Sequence, residues 1–303
     1  MKSTITILRA NEIDEKKWNR CVEENINGLI YSSTAYLNTM AENWHGLVID
    51  NYTAVMALPW KRKFGIRYAY TPPFIQQLGL IGDTATANWQ DVLAAIQGFV
   101  SFADIHFNFS NTAIQSITEV FTKTNLVLDL SIGFLAIESG YKSDLKENIK
   151  KANTQHVVYG NEDCKMGVEC YQSYYHERMP HIKANDYTNF LRLCQSLQKS
   201  GQSLARSVRN VSGDVLAIGV FLCDNQRIYN LMNTTSKKGR DQEANHLLLN
   251  SVIKEFSGKR LLFDFEGSDL PGVRSFYEKF GAENQPYFHY HFNGLPWPIR
   301  LLK

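Results

Sequence analysis

A chain of 303 residues with 44% hydrophobic and 20% charged residues lies in the range of folded globular proteins, and its length accommodates two domains. Thirty-two Lys and Arg against 30 Asp and Glu leave a formal charge of +2. That balance sets up no strong unipolar field and disfavours tight non-specific binding to nucleic acid, DNA included.

The chain opens MKSTITILRANEIDEKKW, where a four-residue apolar run meets charge at Arg9 and Glu12. Such a run is too short for a signal-peptide core, so a cytoplasmic protein is expected. The longest apolar run, Val215 to Cys223, is interrupted by Gly219 and covers about half of the roughly 20 residues a spanning helix needs. No membrane span is expected. The five cysteines (21, 164, 170, 194 and 223) form no CxxC pair, which argues against a disulfide framework and a structural zinc site.

In chain order, His45 to Ile49, Tyr52 to Trp60 and Ile66 to Tyr70 read as strands, separated by Asp50-Asn51 and by Lys61-Arg62-Lys63. A helix follows, with Trp89, Val92, Leu93, Ile96, Phe99, Val100 and Ala103 as its apolar stripe, and then a strand from Asp104 to Phe109. Ser143 to Thr154, with Leu145, Ile149 and Ala152 on one helical face, follows Gly140 and reads as the opening of a second domain. Strands then fall at Leu204 to Val211, Val215 to Cys223 and Arg227 to Thr234. A second striped helix carries Ala244, Leu247, Leu248, Val252, Ile253 and Phe256, and leads to a strand from Arg260 to Phe265. Both halves therefore read as helix, three antiparallel strands, helix, strand. The expectation is a duplicated α+β fold with domains at 1–138 and 139–303, their boundary between 134 and 142 and a shared cleft between them.

No GxxxxGK[ST], GxGxxG or GxSxG pattern is present. On a strand, Tyr287, His289 and His291 share one face and Phe288, Tyr290 and Phe292 the other. Two imidazoles lack the further ligands zinc requires, so no metal is expected. In LMNTTSKKGRDQEANHLLLNSVI a strand runs through a glycine-bearing turn into the Leu-rich helix. That geometry aims backbone N–H groups at one spot where an anion can sit, with Lys237, Lys238 and Arg240 adding charge. Asp241 and Glu243 at the helix start fit ordinary capping as well. In LLFDFEGSD, alternation puts Asp264 and Glu266 on one face, where a carboxylate pair could act as general base with one pKa raised by its neighbour, or could pair with an arginine.

The segment GSDLPGVRSFYEKFGAENQPYFHY resembles the GNAT superfamily of N-acyltransferases, whose helix after this strand ends in the pattern matched by Tyr277, Glu278, Lys279, Phe280 and Gly281. Two such units in tandem, with DFEGS followed by FYEKFGA, look like the Fem-type aminoacyltransferases and FemAB-like relatives. The resemblance covers most of the second half, and in the first half rests on element order and YTPPFIQQLGL. It implies two tandem GNAT-like domains, each a mixed, mostly antiparallel sheet flanked by helices. The activity it implies is transfer of an acyl or aminoacyl group to a small-molecule or peptide amine acceptor in the cleft, from acyl-CoA or aminoacyl-tRNA, with no tightly bound cofactor. Tyr277 takes the place of the acid and Glu266 or Asp264 that of the base. Backbone N–H groups near Met232 and Asn233 would hold the acyl carbonyl. The donor phosphates would meet Lys238, Gly239, Arg240, Ala244 and Asn245, although only Ala244 fits the family's glycine-rich loop. Tyr70, Gln76 and Gln77 are implied to line the acceptor side, or the glutamines satisfy backbone groups of a proline-directed loop. A Fem-like enzyme would also carry a basic track including Lys61, Arg62, Lys63, Arg67, Lys146, Lys150 and Lys151. A binding module that has kept the fold and lost catalysis is the alternative.

Overall fold

The structure is a computed structural model and describes residues 3–85, 87–118, 120–267, 269–297 and 300. In chain order its elements begin with β1 (Ile5–Arg9), α1 (Glu15–Glu24), α2 (Thr34–Met40), β2 (Trp44–Ile49), β3 (Ala54–Lys63) and β4 (Ile66–Tyr70). Then come β5 (Leu80–Gly82), α3 (Trp89–Phe99), β6 (Phe102–Phe107), β7 (Val120–Lys123), β8 (Leu126–Asp129), α4 (Phe134–Ser139), α5 (Ser143–Asn153) and β9 (Val158–Glu162). After α6 (Cys164–Tyr175) and α7 (Ala184–Gln198) follow β10 (Ser203–Arg209), β11 (Val215–Cys223), β12 (Arg227–Thr235), α8 (Lys237–Asp241) and α9 (Ala244–Phe256). The chain ends with β13 (Leu262–Asp264), α10 (Pro271–Glu278), β14 (Glu283–Asn284) and β15 (Tyr287–Asn293).

The striped helices form where the periodicity puts them. Asn88 caps α3 by accepting from the Gln90 N–H, and Trp89, Val92, Leu93 and Ile96 are buried. This helix ends at Phe99, and Ala103 of the expected stripe belongs to β6 instead. Strand β3 starts at Ala54, two residues later than expected, because Asp50 and Tyr52 have positive φ in the turn before it.

The chain divides into two units, Met1–Lys123 with Pro286–Lys303, and Thr124–Gln285. In the first unit the sheet runs β1-β2-β3-β4-β6-β15-β7, with β5 alongside β3. In the second it runs β9-β10-β11-β12-β13-β8-β14. The two orders correspond strand for strand. In each, the one parallel pair along that path is at the same place, β4 with β6 and β12 with β13. This is the duplicated α+β architecture.

The division differs from the expected 1–138 and 139–303. The strand between β6 and β7 is β15, from the far end of the chain, and Phe288 and Tyr290 complete the core with Leu47, Val92, Ile96, Ile105 and Phe107. The equivalent strand of the second unit is β8, which pairs antiparallel with β13 and β14. Leu126, Leu130 and Ile137 lie in the core of that unit with Leu216, Phe221, Leu248, Val252, Phe263 and Phe280. Burial of these side chains draws residues 124–138 into the second unit and 286–297 back to the first.

Candidate active site

In the second unit the parallel strands β12 and β13 pair through Arg227–Leu262, Ile228–Phe263 and Tyr229–Asp264, and part beyond. Strand β12 continues along β11 to Thr235 with one extra residue, Leu231, because Val220 faces Met232 while Phe221 faces Asn230. A bulge of this kind bends its strand and leaves backbone groups out of the ladder. On the other side the Phe265 N–H bonds the Leu126 carbonyl at 2.9 Å, drawing the chain towards β8. Glu266 and Gly267 then turn it with φ of 60° and 36°. A Cβ on Gly267 would lie 2.2 Å from the Thr124 carbonyl oxygen, so the turn requires glycine. The result is a crevice at the carboxyl ends of two parallel strands, where ligands characteristically bind in open sheets.

Asp264 closes the base of this crevice. It is 1% exposed, pairs with Arg227 at 2.9 Å and accepts from the Asn125 amide at 3.2 Å. Its other oxygen accepts from the Glu266 N–H at 3.0 Å, while Arg227 also donates to Gln285 at 2.7 Å. Its oxygens are committed to these donors, so Asp264 has the arginine partner of the alternative reading and also holds the Glu266 backbone. Strand alternation does not carry through to Glu266, because its left-handed backbone turns it out of the strand.

Desolvation pushes the Glu266 carboxyl up from 4.5 to about 8. The cause is desolvation, not the neighbouring carboxylate that alternation led one to expect. Tyr277 lies against it. Its ring packs on Phe265 at 4.7 Å and on Phe276 at 5.5 Å, between centroids. Burial first, then Tyr175 and Glu266, hold its hydroxyl above the usual phenol range, while the Asn230 amide acts in the opposite direction. Tyr277 is thus a neutral O–H donor at every physiological pH.

Three residues at this place escaped the sequence reading. Asn230, at the bulge, is 3% exposed, and its amide is engaged with the Tyr277 hydroxyl, where it favours the ionised phenol. Its remaining hydrogen-bonding capacity is unfilled among the described residues. Tyr171 and Tyr175 stand one turn apart on α6 with ring centroids 4.7 Å apart, and both reach the surroundings of Tyr277. The signals were a polar residue two places after buried Ile228 on β12, and two tyrosines at helical i, i+4 spacing.

The expected donor-phosphate residues lie on α8 and at the start of α9. The connection after β12 is taken up by α8, capped by Ser236, whose hydroxyl accepts from the Gly239 N–H at 3.0 Å. A Cβ on Gly239 would sit 2.0 Å from the Leu216 carbonyl oxygen, so this glycine packs α8 on β11 and does not admit a ligand. Lys238 pairs with Asp214 at 3.4 Å, and Arg240 donates to the Thr235 carbonyl at 2.8 Å. Glu243 holds the N-cap position of α9 in left-handed backbone without capping it, and pairs with Lys151 and His246 at 3.0 and 3.1 Å. Ala244 is fully buried. Met232 is buried opposite Val220, and Asn233 and Asn245 each keep one buried amide atom without a partner.

In the first unit the matching place is closed. Beyond the β4–β6 pairing, the Thr71 N–H bonds the Asp104 carbonyl at 3.2 Å, the His106 N–H bonds the Thr71 hydroxyl at 2.9 Å, and the Leu78 N–H bonds the His106 carbonyl at 3.0 Å. Gln77 is fully buried and accepts from the Phe109 N–H at 3.1 Å, while the Gln76 carbonyl meets His106 Nδ1 at 2.9 Å. Burial drives that imidazole down to about 4. Tyr70 is half-buried with the Lys61 ammonium 4.9 Å over its ring. Gln77 thus satisfies a backbone group with its side chain, while Gln76 contributes its backbone carbonyl to the same loop and accepts from the Gln77 amide. On β15 the expected alternation holds, with Phe288 and Tyr290 buried and His289 paired to Asp104. Among the described residues no group of three or more His, Cys, Asp or Glu side chains is placed to hold a metal ion, and no helix is long and apolar enough to cross a membrane. All five cysteines are free.

No family model matches the chain, and no curated protein sequence matches it. Solved structures do. The crystal structure of FemX superposes with a TM-score of 0.69 at 12% identity, over 100% of this chain and 99% of that one. The fold is a tandem GNAT fold similar to that of FemX. The C-terminal domain of a putative lysylphosphatidylglycerol synthetase from Agrobacterium fabrum matches the tandem GNAT fold with a TM-score of 0.57 at 11% identity, over 95% of this chain and 94% of that one. L-PGS from Bacillus licheniformis matches with a TM-score of 0.55 at 12% identity, over 95% of each chain. In the second unit the two parallel strands part at this place, whereas in the first the matching place is bridged by hydrogen bonds.

Proposed function

We propose that the crevice of the second unit is an N-acyltransferase site, moving an acyl or aminoacyl group from an activated donor onto an amine. The observation that carries this reading is the grouping of the half-buried Glu266 and Tyr277 with the buried Asn230 amide where β12 and β13 part. The amine nitrogen attacks the donor carbonyl, and the carbonyl oxygen, gaining charge, receives hydrogen bonds from the Asn230 amide and from backbone N–H groups near Met232 and Asn233, beside the bulge. Glu266 takes the proton from the amine as the C–N bond forms. Tyr277 gives its proton to the departing oxygen or sulfur as that bond breaks, and regains one from Glu266. A base with a pKa of about 8 is well matched to an α-amine.

For the donor, α8 occupies the place of a pyrophosphate cradle and Glu243 adds negative charge at the start of α9. Both features favour an aminoacyl ester such as aminoacyl-tRNA over an acyl-CoA. The lysylphosphatidylglycerol synthetase domain of similar fold is in keeping with aminoacyl chemistry. The same filled cradle also supports a binding module without catalysis, and the variants below separate the two.

The test of the donor is binding. Bulk aminoacyl-tRNA should be retained with the protein on filters more tightly than deacylated tRNA, and acetyl-CoA and CoA should leave the melting temperature unchanged. A ligand at about 100 times its dissociation constant adds roughly 2.7 kcal/mol, so a shift of several degrees with acetyl-CoA would reverse the donor assignment.

A further inference from the structure

Strands β3 and β4 project as a two-stranded ribbon with the sequence Lys61-Arg62-Lys63-Phe64-Gly65-Ile66-Arg67. Lys63 pairs with Ile66, so Phe64 and Gly65 form the two-residue turn, with φ of 51° and 79°. Two positive φ values define a turn that ordinarily takes Asn-Gly or Asp-Gly. A bulky aromatic at its first position is strained, and nothing is gained by packing, since Phe64 is 91% exposed.

The charges around this ring are unusual as well. Arg62 stands directly across the ribbon from Arg67, a like-charge pairing that disfavours the hairpin by itself. Arg67 is held over Trp60 and Phe99, at 4.8 and 4.3 Å from their ring centres. On the opposite face lie Lys61 and Lys63, the latter with its ammonium 5.6 Å from the Phe64 ring. Glu42 reaches Lys61 at 3.4 Å, and among the described residues no ion pair involves Arg62 or Lys63.

We propose that this hairpin tip docks end-on to an anionic lipid surface, with Phe64 entering the acyl–headgroup boundary and Lys61, Arg62 and Lys63 meeting the phosphates around it. The distribution of charge selects this partner. Cations on both faces of the ribbon encircle its tip, which suits a plane approached along the ribbon axis, whereas a strand of RNA laid on the ribbon would meet the charges of one face. A lone phenyl ring at the extreme end serves as an insertion group, while single-stranded RNA needs a row of stacking surfaces along a groove. The strain at Phe64 and the Arg62–Arg67 repulsion are both features that such a surface would compensate. The inference is independent of the transfer chemistry in the second unit.

The experiment is co-sedimentation of the intact protein with vesicles of phosphatidylcholine alone and of phosphatidylcholine mixed with phosphatidylglycerol, at low and high salt. The protein should pellet with the anionic vesicles only, and release in high salt. Lys63→Glu should weaken binding by at least about fivefold, the contribution of one cation at such a surface. Phe64→Asn should weaken it by about tenfold, from the loss of an inserted ring. Because Asn suits the turn, that variant should melt no lower than the parent, which separates docking from folding. Phe64→Trp should add an emission component that moves to shorter wavelength with anionic vesicles. Failure to pellet with anionic vesicles, or equal pelleting by Phe64→Asn, overturns the proposal. Tighter binding to a single-stranded RNA oligomer that Phe64→Asn abolishes would assign the hairpin to nucleic acid instead.

Discussion

Replacing Glu266 by Gln should stabilise the protein above pH 5 while removing its transfer activity. In the unfolded chain this carboxyl ionises near 4.5, and in the folded chain near 8. Between those values the native state holds a proton that the unfolded state has lost, so stability falls as pH rises through the window. Integrating the difference gives a cost of about 1 kcal/mol at pH 5 and about 3 kcal/mol at pH 7. Glutamine has no proton to lose and removes the dependence. The assay is urea unfolding of both proteins followed by far-ultraviolet circular dichroism at pH 5, 6, 7 and 8. The variant's advantage should grow by about 1 kcal/mol per pH unit until it levels off near pH 8. A constant difference across this range, or a variant that loses stability faster than the parent, would show that Glu266 is not desolvated as described. Groups of high energetic cost in a crevice are a common mark of function, since stability and activity trade against each other at such sites.

Three further outcomes follow from the structure. Asp264→Asn leaves the Arg227 guanidinium without its carboxylate at a place where the two side chains are 1% and 2% exposed, and should cost about 3–5 kcal/mol in urea unfolding; a loss under about 1 kcal/mol would mean that Arg227 finds another partner. Tyr277→Phe keeps the ring on Phe265 and so should melt close to the parent, yet should lose about 100-fold or more in transfer rate. Truncation after Gln285 removes β15 and with it Phe288 and Tyr290 from the core of the first unit. All five tryptophans lie outside residues 124–285, so the emission of the buried Trp18, Trp44 and Trp89 should move to longer wavelength while the circular dichroism of the second unit persists. Unchanged emission would show that the first unit does not need the returning strand.

The parts of the fold that can be read from the chain are those whose signal is local. Strand β11 has the bounds that Val215 to Cys223 predict, and α9 runs from Ala244 to Phe256 as its stripe requires. The matched order of elements in the two halves rests on the same local patterns. The exchange of β8 and β15 has no such signal. Leu126–Asp129 is four residues long, and its partner Leu262–Asp264 lies more than a hundred residues away in sequence. A short apolar segment is equally at home in either unit until the pairing decides. The site shows the same contrast. Tyr277 is singled out through a motif and Glu266 through its position at the strand's end, but alternation misplaces Glu266 because its backbone is left-handed. Asp264 looks like a second base until Arg227 appears beside it, and Asn230 becomes notable only once its amide is known to be buried beside Tyr277. Gly239 reads as a phosphate-loop glycine, whereas the close approach of the Leu216 backbone is what requires it.

The central claim is that the second unit's crevice transfers an acyl group, and the direct measurement is movement of label. Bulk tRNA charged with radiolabelled amino acids is incubated with the protein and a deproteinised small-molecule pool, and base-stable amide product is counted for the parent, Glu266→Gln and Tyr277→Phe. The account predicts label in amide product with the parent, reduced about 100-fold in each variant, and no such product from radiolabelled acetyl-CoA. Equal transfer by parent and variants would remove the chemistry from this crevice, and transfer from acetyl-CoA alone would contradict the donor assignment.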